Sequence, residues 1–106
     1  MADALKRYAG PVALGTSAST LFTVSPGTTA TIILIHLCNE TASDETVTLS
    51  IGTDGAGKRL FKDYTVPAND VRQITGNYPM SAAEIMQGFA SAGSAITITI
   101  GGIETS

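Results

Sequence analysis

The sequence predicts an all-β protein, an antiparallel β-sandwich or jelly roll of about eight strands. Three observations carry the prediction. Apolar residues recur with a period of two through most of the chain, turn residues interrupt them roughly every 8 to 12 positions, and 106 residues suffice for one small domain.

The segment up to Leu14 carries Leu5, Tyr8, Pro11 and Val12 without a regular period. It is expected as an extended N-terminal arm, residues 1–14, laid on a neighbouring molecule, with residues 15–106 forming the sandwich; an added edge strand of the same domain is the alternative. Deleting residues through Gly10 should then leave a folded domain that no longer docks. Ser19 to Val24 is a short β-prone run stopped by Ser25-Pro26-Gly27. Thr29 to Cys38 follows, with Thr31, Ile33, Ile35 and Leu37 on one face and Ile32, Leu34, His36 and Cys38 on the other. Both faces are largely apolar, so this strand is central in the fold or has its second face covered by another chain. Ile32, Leu34 and His36 therefore join Leu5, Tyr8, Pro11 and Val12 as candidate interface residues.

Asn39 to Asp44 is a polar connection. Thr46 to Ile51 alternates cleanly, burying Val47, Leu49 and Ile51 with threonine and serine outward, and is expected to pair with the strand before it. A glycine-rich loop, Gly52 to Gly57, leads to a strand from Arg59 to Val66, and Pro67-Ala-Asn-Asp70 turns the chain into Val71 to Thr75. Ser81-Ala-Ala-Glu84 has the pattern of a capping box, but Gly88 follows closely, so a short turn and then a strand are expected. Ala95 to Ile100 is the most regular alternation, and at Gly101-Gly102 a bulge or close backbone approach is expected. Two short segments echo across the halves, Phe22 to Pro26 with Tyr64 to Pro67 and Thr48 to Gly52 with Thr97 to Gly101, as two similar sets of strands would.

Charged residues make up 14% of the chain, little more than half the roughly 25% of ordinary soluble domains. Threonine, serine, alanine and glycine fill the gap, a composition suited to subunits that pack side by side, where long charged chains would be desolvated. A homo-oligomer is expected. Six basic against nine acidic residues leave a net charge of −3, which argues against nucleic acid. The longest apolar run, Ile32 to Cys38, is interrupted by His36 and far shorter than the about 20 residues of a membrane helix. No membrane partner is expected. The single Cys38 forms no disulfide within the chain and Met1 to Tyr8 lacks the apolar stretch of a secretory signal, so synthesis in a reducing cytoplasm is expected. Asn39-Glu-Thr41 matches a glycosylation acceptor, and without such a signal the match is read as accidental.

Gly52 to Lys58 fits the spacing of a phosphate-binding loop, but Arg59 stands where a magnesium-holding Ser or Thr belongs, and a strand follows where a helix should. His36 and Cys38 lie close enough on one strand face to share a metal, yet the chain has no other His or Cys to complete a zinc site. The carboxylates sit mostly in or beside turns, and no serine occupies a Gly-x-Ser-x-Gly elbow. No catalysis, cofactor or metal is expected.

The runs Phe22-Thr-Val-Ser-Pro-Gly-Thr-Thr29, Ile35-His-Leu-Cys-Asn39, Thr48 to Phe61, Val66-Pro-Ala-Asn69 and Ile98 to Glu104 together resemble small structural proteins encoded by tailed bacteriophages, over nearly the whole chain. The resemblance implies a virion component of β-sandwich type, made in the bacterial host cytoplasm. Such a subunit would decorate or cement the head through the major capsid protein or other virion proteins. The alternative it implies is a neck, tail or spike accessory protein that contacts host-surface glycan, for which the chain offers no Trp and only Tyr8, Tyr64 and Tyr78. Trimers would suit threefold junctions of a shell, though no residue singles out that symmetry.

Overall fold

The longest β-branched run dictates the centre of the fold. Residues from Thr29 to Asn39 lose little by being held extended and gain by packing on both sides, and they form strand β3 (Thr29–Asn39). The structure, a computed structural model, describes residues 3–106. The other strands are β1 (Asp3–Ala13), β2 (Ser19–Thr23), β4 (Glu45–Ile51), β5 (Arg59–Val66), β6 (Asp70–Met80), β7 (Ile85–Ala90) and β8 (Ile96–Thr105). They make two antiparallel four-stranded sheets, β1-β8-β3-β6 and β2-β7-β4-β5, packed face to face as a β-sandwich.

The core lies between the sheets. Ile35 pairs with Ile100 and Leu37 with Ile98 on the inner face of the first sheet. Val47, Leu49, Val66 and Met86 meet them from the second, all fully buried. Each such side chain contributes about 1.5–3 kcal/mol by leaving water.

Three expectations are corrected. β4 does not pair with β3, because β8 and β6 already occupy both edges of β3. Asn39 turns the chain across to the other sheet: its Nδ2 donates to Ser43 O (2.8 Å) and Val66 O (3.0 Å), and its Oδ1 accepts from Thr41 N (2.9 Å) and Thr41 Oγ1 (2.7 Å). Every polar group of this buried side chain is thus satisfied. β4 is also not half-buried. Thr48 and Ser50 are as enclosed as Val47 and Leu49, with Thr48 Oγ1 accepting from Asp63 N (3.0 Å) and Ser50 Oγ donating to Asp54 Oδ1 (2.8 Å).

The second correction concerns the face of Ile32. Ile32 pairs with Gly102 and Leu34 with the adjacent Gly101, so Ile33 is an extra residue and β3 bulges against β8. On the other side Ile32 and Leu34 face Tyr78 and Thr75, and β6 carries the surplus. Alternation therefore resets at Ile33. Ala30 and Ile32 point inward before the bulge, Ile35 and Leu37 after it. Ile32, expected on an interface, is a fully buried core residue.

The third concerns residues 1–14. From Asp3 onward they are β1, an edge strand paired with β8 from Asp3↔Thr105 to Ala13↔Thr97; Met1 and Ala2 lie outside the described residues. The segment is part of the sandwich rather than an arm reaching away from it. Its irregular sequence has a physical cause in two register shifts, one at Tyr8 and one at Gly10-Pro11. Gly10 takes φ +82°, and a Cβ there would collide with the Ile98 carbonyl oxygen, so only glycine fits. The expected turn at Ser81–Glu84 is present, with Glu84 Oε1 accepting from Ser81 N at 2.6 Å as in a capping box but with β7 following instead of a helix.

Candidate docking face

The two outer faces of the sandwich differ. That of the β2-β7-β4-β5 sheet is partly covered by the chain itself, over Ser50, Arg59 and Gln87. The loop at residues 52–58 folds over it, where Asp54 N donates to Gln87 Oε1 (3.0 Å). The Asp54 carboxylate receives Ser50 Oγ and the Arg59 guanidinium, the latter at 3.1 and 3.3 Å. The Arg59 bond, then the Ser50 bond, hold the Asp54 carboxyl below its usual range, and Asp54 in turn raises Arg59. The loop with phosphate-binding spacing is thus a connection between paired strands, its Asp54 held by Arg59 at the start of β5.

The outer face of the β1-β8-β3-β6 sheet has no such cover among the described residues. Directly paired residues of antiparallel strands share a face, which places five rows on it. They run Asp3–Thr105–Thr29, Leu5–Ile103–Thr31–Pro79, Arg7–Gly101–Leu34–Thr75, Thr99–His36–Gln73 and Ala13–Thr97–Cys38–Val71. Asp3 and Arg7, both on the edge strand β1, are the charged side chains in these rows. Leu5 is 86% exposed and Val71 43%. At the Leu5 end a shallow depression of about 450 Å³ is lined by Leu5, Lys6, Arg7, Ile33, Leu34, Thr99, Gly101 and Gly102. Gly101, set between Arg7 and Leu34, leaves its floor without a side chain.

Three of the seven candidate residues, Leu5, Leu34 and His36, meet on this face. His36 Nδ1 lies 3.1 Å from Gln73 Nε2, and Cys38 stands beside it in the next row. Tyr8 turns the other way. Its ring packs 4.9 Å from Phe22 inside the sandwich, and Lys6 Nζ lies 5.1 Å from the ring centre while bonding Glu104 Oε2 at 2.8 Å. Pro11 and Val12 sit in and beside the second β1 bulge, away from the depression. Ile33, Thr99, Gly101 and Ile103 were missed, although the alternation Ala95 to Ile100 already puts Thr97 and Thr99 opposite the core isoleucines. Among the described residues no three His, Cys, Asp or Glu converge on a metal-sized site, and no helix is long and apolar enough to cross a membrane. No protein-family model, curated protein or solved structure matches the chain.

Proposed function

We propose that the protein is a structural subunit of a bacteriophage virion, a capsid decoration or cement protein that docks through the outer face of the β1-β8-β3-β6 sheet. The observation that carries this reading is the asymmetry of the two faces: one is partly covered by a hydrogen-bonded loop, while the other presents rows of small, neutral polar and apolar side chains whose two charges, Asp3 and Arg7, lie on its β1 edge. Burying such a face against a shell costs little desolvation of charge, and each apolar Å² removed from water contributes about 25 cal/mol. Summed over many copies, that burial would hold capsid subunits against expansion. The role needs neither catalysis nor a cofactor.

The winding supports the same reading. Strands pair as β1 with β8, β2 with β7, β3 with β6 and β4 with β5, the order of one long hairpin folded over on itself. We read this winding as that of a jelly roll, an architecture of viral capsid and lectin domains; it raises the expectation, and the face carries the argument. A glycan-binding accessory role draws no support from the aromatics. Tyr8 is committed to Phe22, and Tyr64 meets Phe61 edge-on at 5.4 Å.

The test is sedimentation of the purified chain with particles that lack it. Saturable binding at a copy number comparable to the capsid protein's, abolished by Leu34→Glu, is the expected result. Failure to bind, or a handful of copies at one vertex or tail, would remove the decoration role.

A further inference from the structure

We infer that two copies of this chain join through their β1 edges, with Leu5 of each strand opposite the partner's Leu5. β1 is an edge of its sheet, so among the described residues no strand bonds the main-chain groups on its outer side. Only one stretch of it is regular. Pairing with β8 runs without interruption from Asp3 to Arg7, then shifts at Tyr8 and again at Gly10-Pro11, where proline offers no N–H. Leu5 is the midpoint of that stretch and, at 86%, the most exposed large apolar side chain described.

Charge fixes the register. Antiparallel pairing centred on Leu5 sets Asp3 across from the partner's Arg7, and Arg7 across from the partner's Asp3, on the same face as the two leucines. Ala4 then meets the partner's Lys6, whose charge is already committed to Glu104 and to the Tyr8 ring. Centring on Lys6 instead would oppose two lysines. Of the other edges, β2 and β5 each shift register, and β6, regular from Asp70 to Thr75, has its charges Asp70 and Arg72 already paired with each other.

The twofold axis of such a pair is normal to the sheet. Eight strands become continuous, and the two depressions lined by Leu5, Ile33 and Leu34 come to lie side by side on one surface. The inference stands on β1 alone and holds whether or not the partner of that surface is a capsid.

The test is the mass of the full chain in solution by sedimentation equilibrium. The wild type is expected to dimerise. Asp3→Arg and Arg7→Asp each replace two attractive cross-strand pairs with two repulsive ones and should each raise the dimer dissociation constant about tenfold or more. Mixing the two variants restores both attractive pairs, so the mixture, like the double variant D3R/R7D, should dimerise as the wild type does. A wild type that stays monomeric at its highest soluble concentration, a closed trimer, single variants with wild-type affinity, or a mixture that stays monomeric would each overturn it.

Discussion

Gly102 lies with its Cα hydrogen against the Thr31 carbonyl oxygen, so close that a Cβ would overlap that oxygen and crowd Ile32 Cα as well. Both contacts are backbone at the β3 bulge and cannot swing aside. Gly102→Ala is therefore expected to destabilise the fold by about 1–3 kcal/mol, or roughly 4–8 °C in Tm for each kcal/mol in a domain of this size. Thermal melts of the variant check it. Gly93→Ala, where a Cβ meets nothing within 4 Å, is the control and should leave the midpoint nearly unchanged.

Tyr8 combines good packing with an unmet polar group. Its hydroxyl is buried with no hydrogen-bond partner among the described residues, and burial, its largest cause, raises the phenol pKa above the usual 10.0. Removing only the oxygen should relieve a desolvation penalty, so Tyr8→Phe is expected to stabilise by roughly 1 kcal/mol. Tyr8→Ala forfeits the ring stack on Phe22 and should cost about 3 kcal/mol. Urea titrations of the two variants give opposite shifts in midpoint if the ring is seated this way.

Asp54 predicts an acid dependence. Its folded pKa lies below the ordinary 3.8 because Arg59 and Ser50 bond the carboxylate, so the unfolded chain binds more protons in the window between the two values. The stability it contributes is fully present above about pH 4 and is lost as pH falls through the folded value. Asp54→Asn should then be less stable than wild type at neutral pH, with the gap closing as pH is lowered from about 5 to 2. Asp70, lowered by the Val71 N–H and then by Arg72, titrates in the same direction and remains in the variant as an internal reference. A gap that stays constant over that range would exclude a charge-dependent role for the pair.

The parts of the fold legible in the sequence are those decided locally. Thr46 to Ile51 and Ala95 to Ile100 alternate, and both are strands; their echo falls on interior strands of the two sheets, whereas the Phe22 and Tyr64 echo falls on opposite edges of one. What escaped depends on neighbours distant in sequence. β1 was hidden because its two bulges scramble the period, and at the second of them Gly10 meets the β8 backbone at Ile98, a contact distant in sequence. The β3–β4 crossover was hidden because proximity along the chain favours a hairpin, while the occupied edges of β3 and the four bonds of Asn39 forbid one. Gly101-Gly102 did announce a bulge. The sequence could not say that the strand it would bulge is β3, and on that point the face of Ile32 turned.

Ile32 and Leu34 should accordingly behave as opposites, though strict alternation puts them on one face. Ile32 is fully buried and pairs with Tyr78 on the inner side, so Ile32→Ala leaves a cavity in the core and should cost about 2–5 kcal/mol. Leu34, beyond the bulge, lines the outer depression. Leu34→Ala there removes only half-exposed surface, and its effect on stability should stay within about 1 kcal/mol. Chemical denaturation of the two variants separates the models sharply. If the strand ran without its bulge, Leu34 would stay beside Ile32 and both alanines would cost alike; a large loss for Ile32→Ala with a small one for Leu34→Ala places the reset at Ile33 and leaves Leu34 free to contact whatever covers that face.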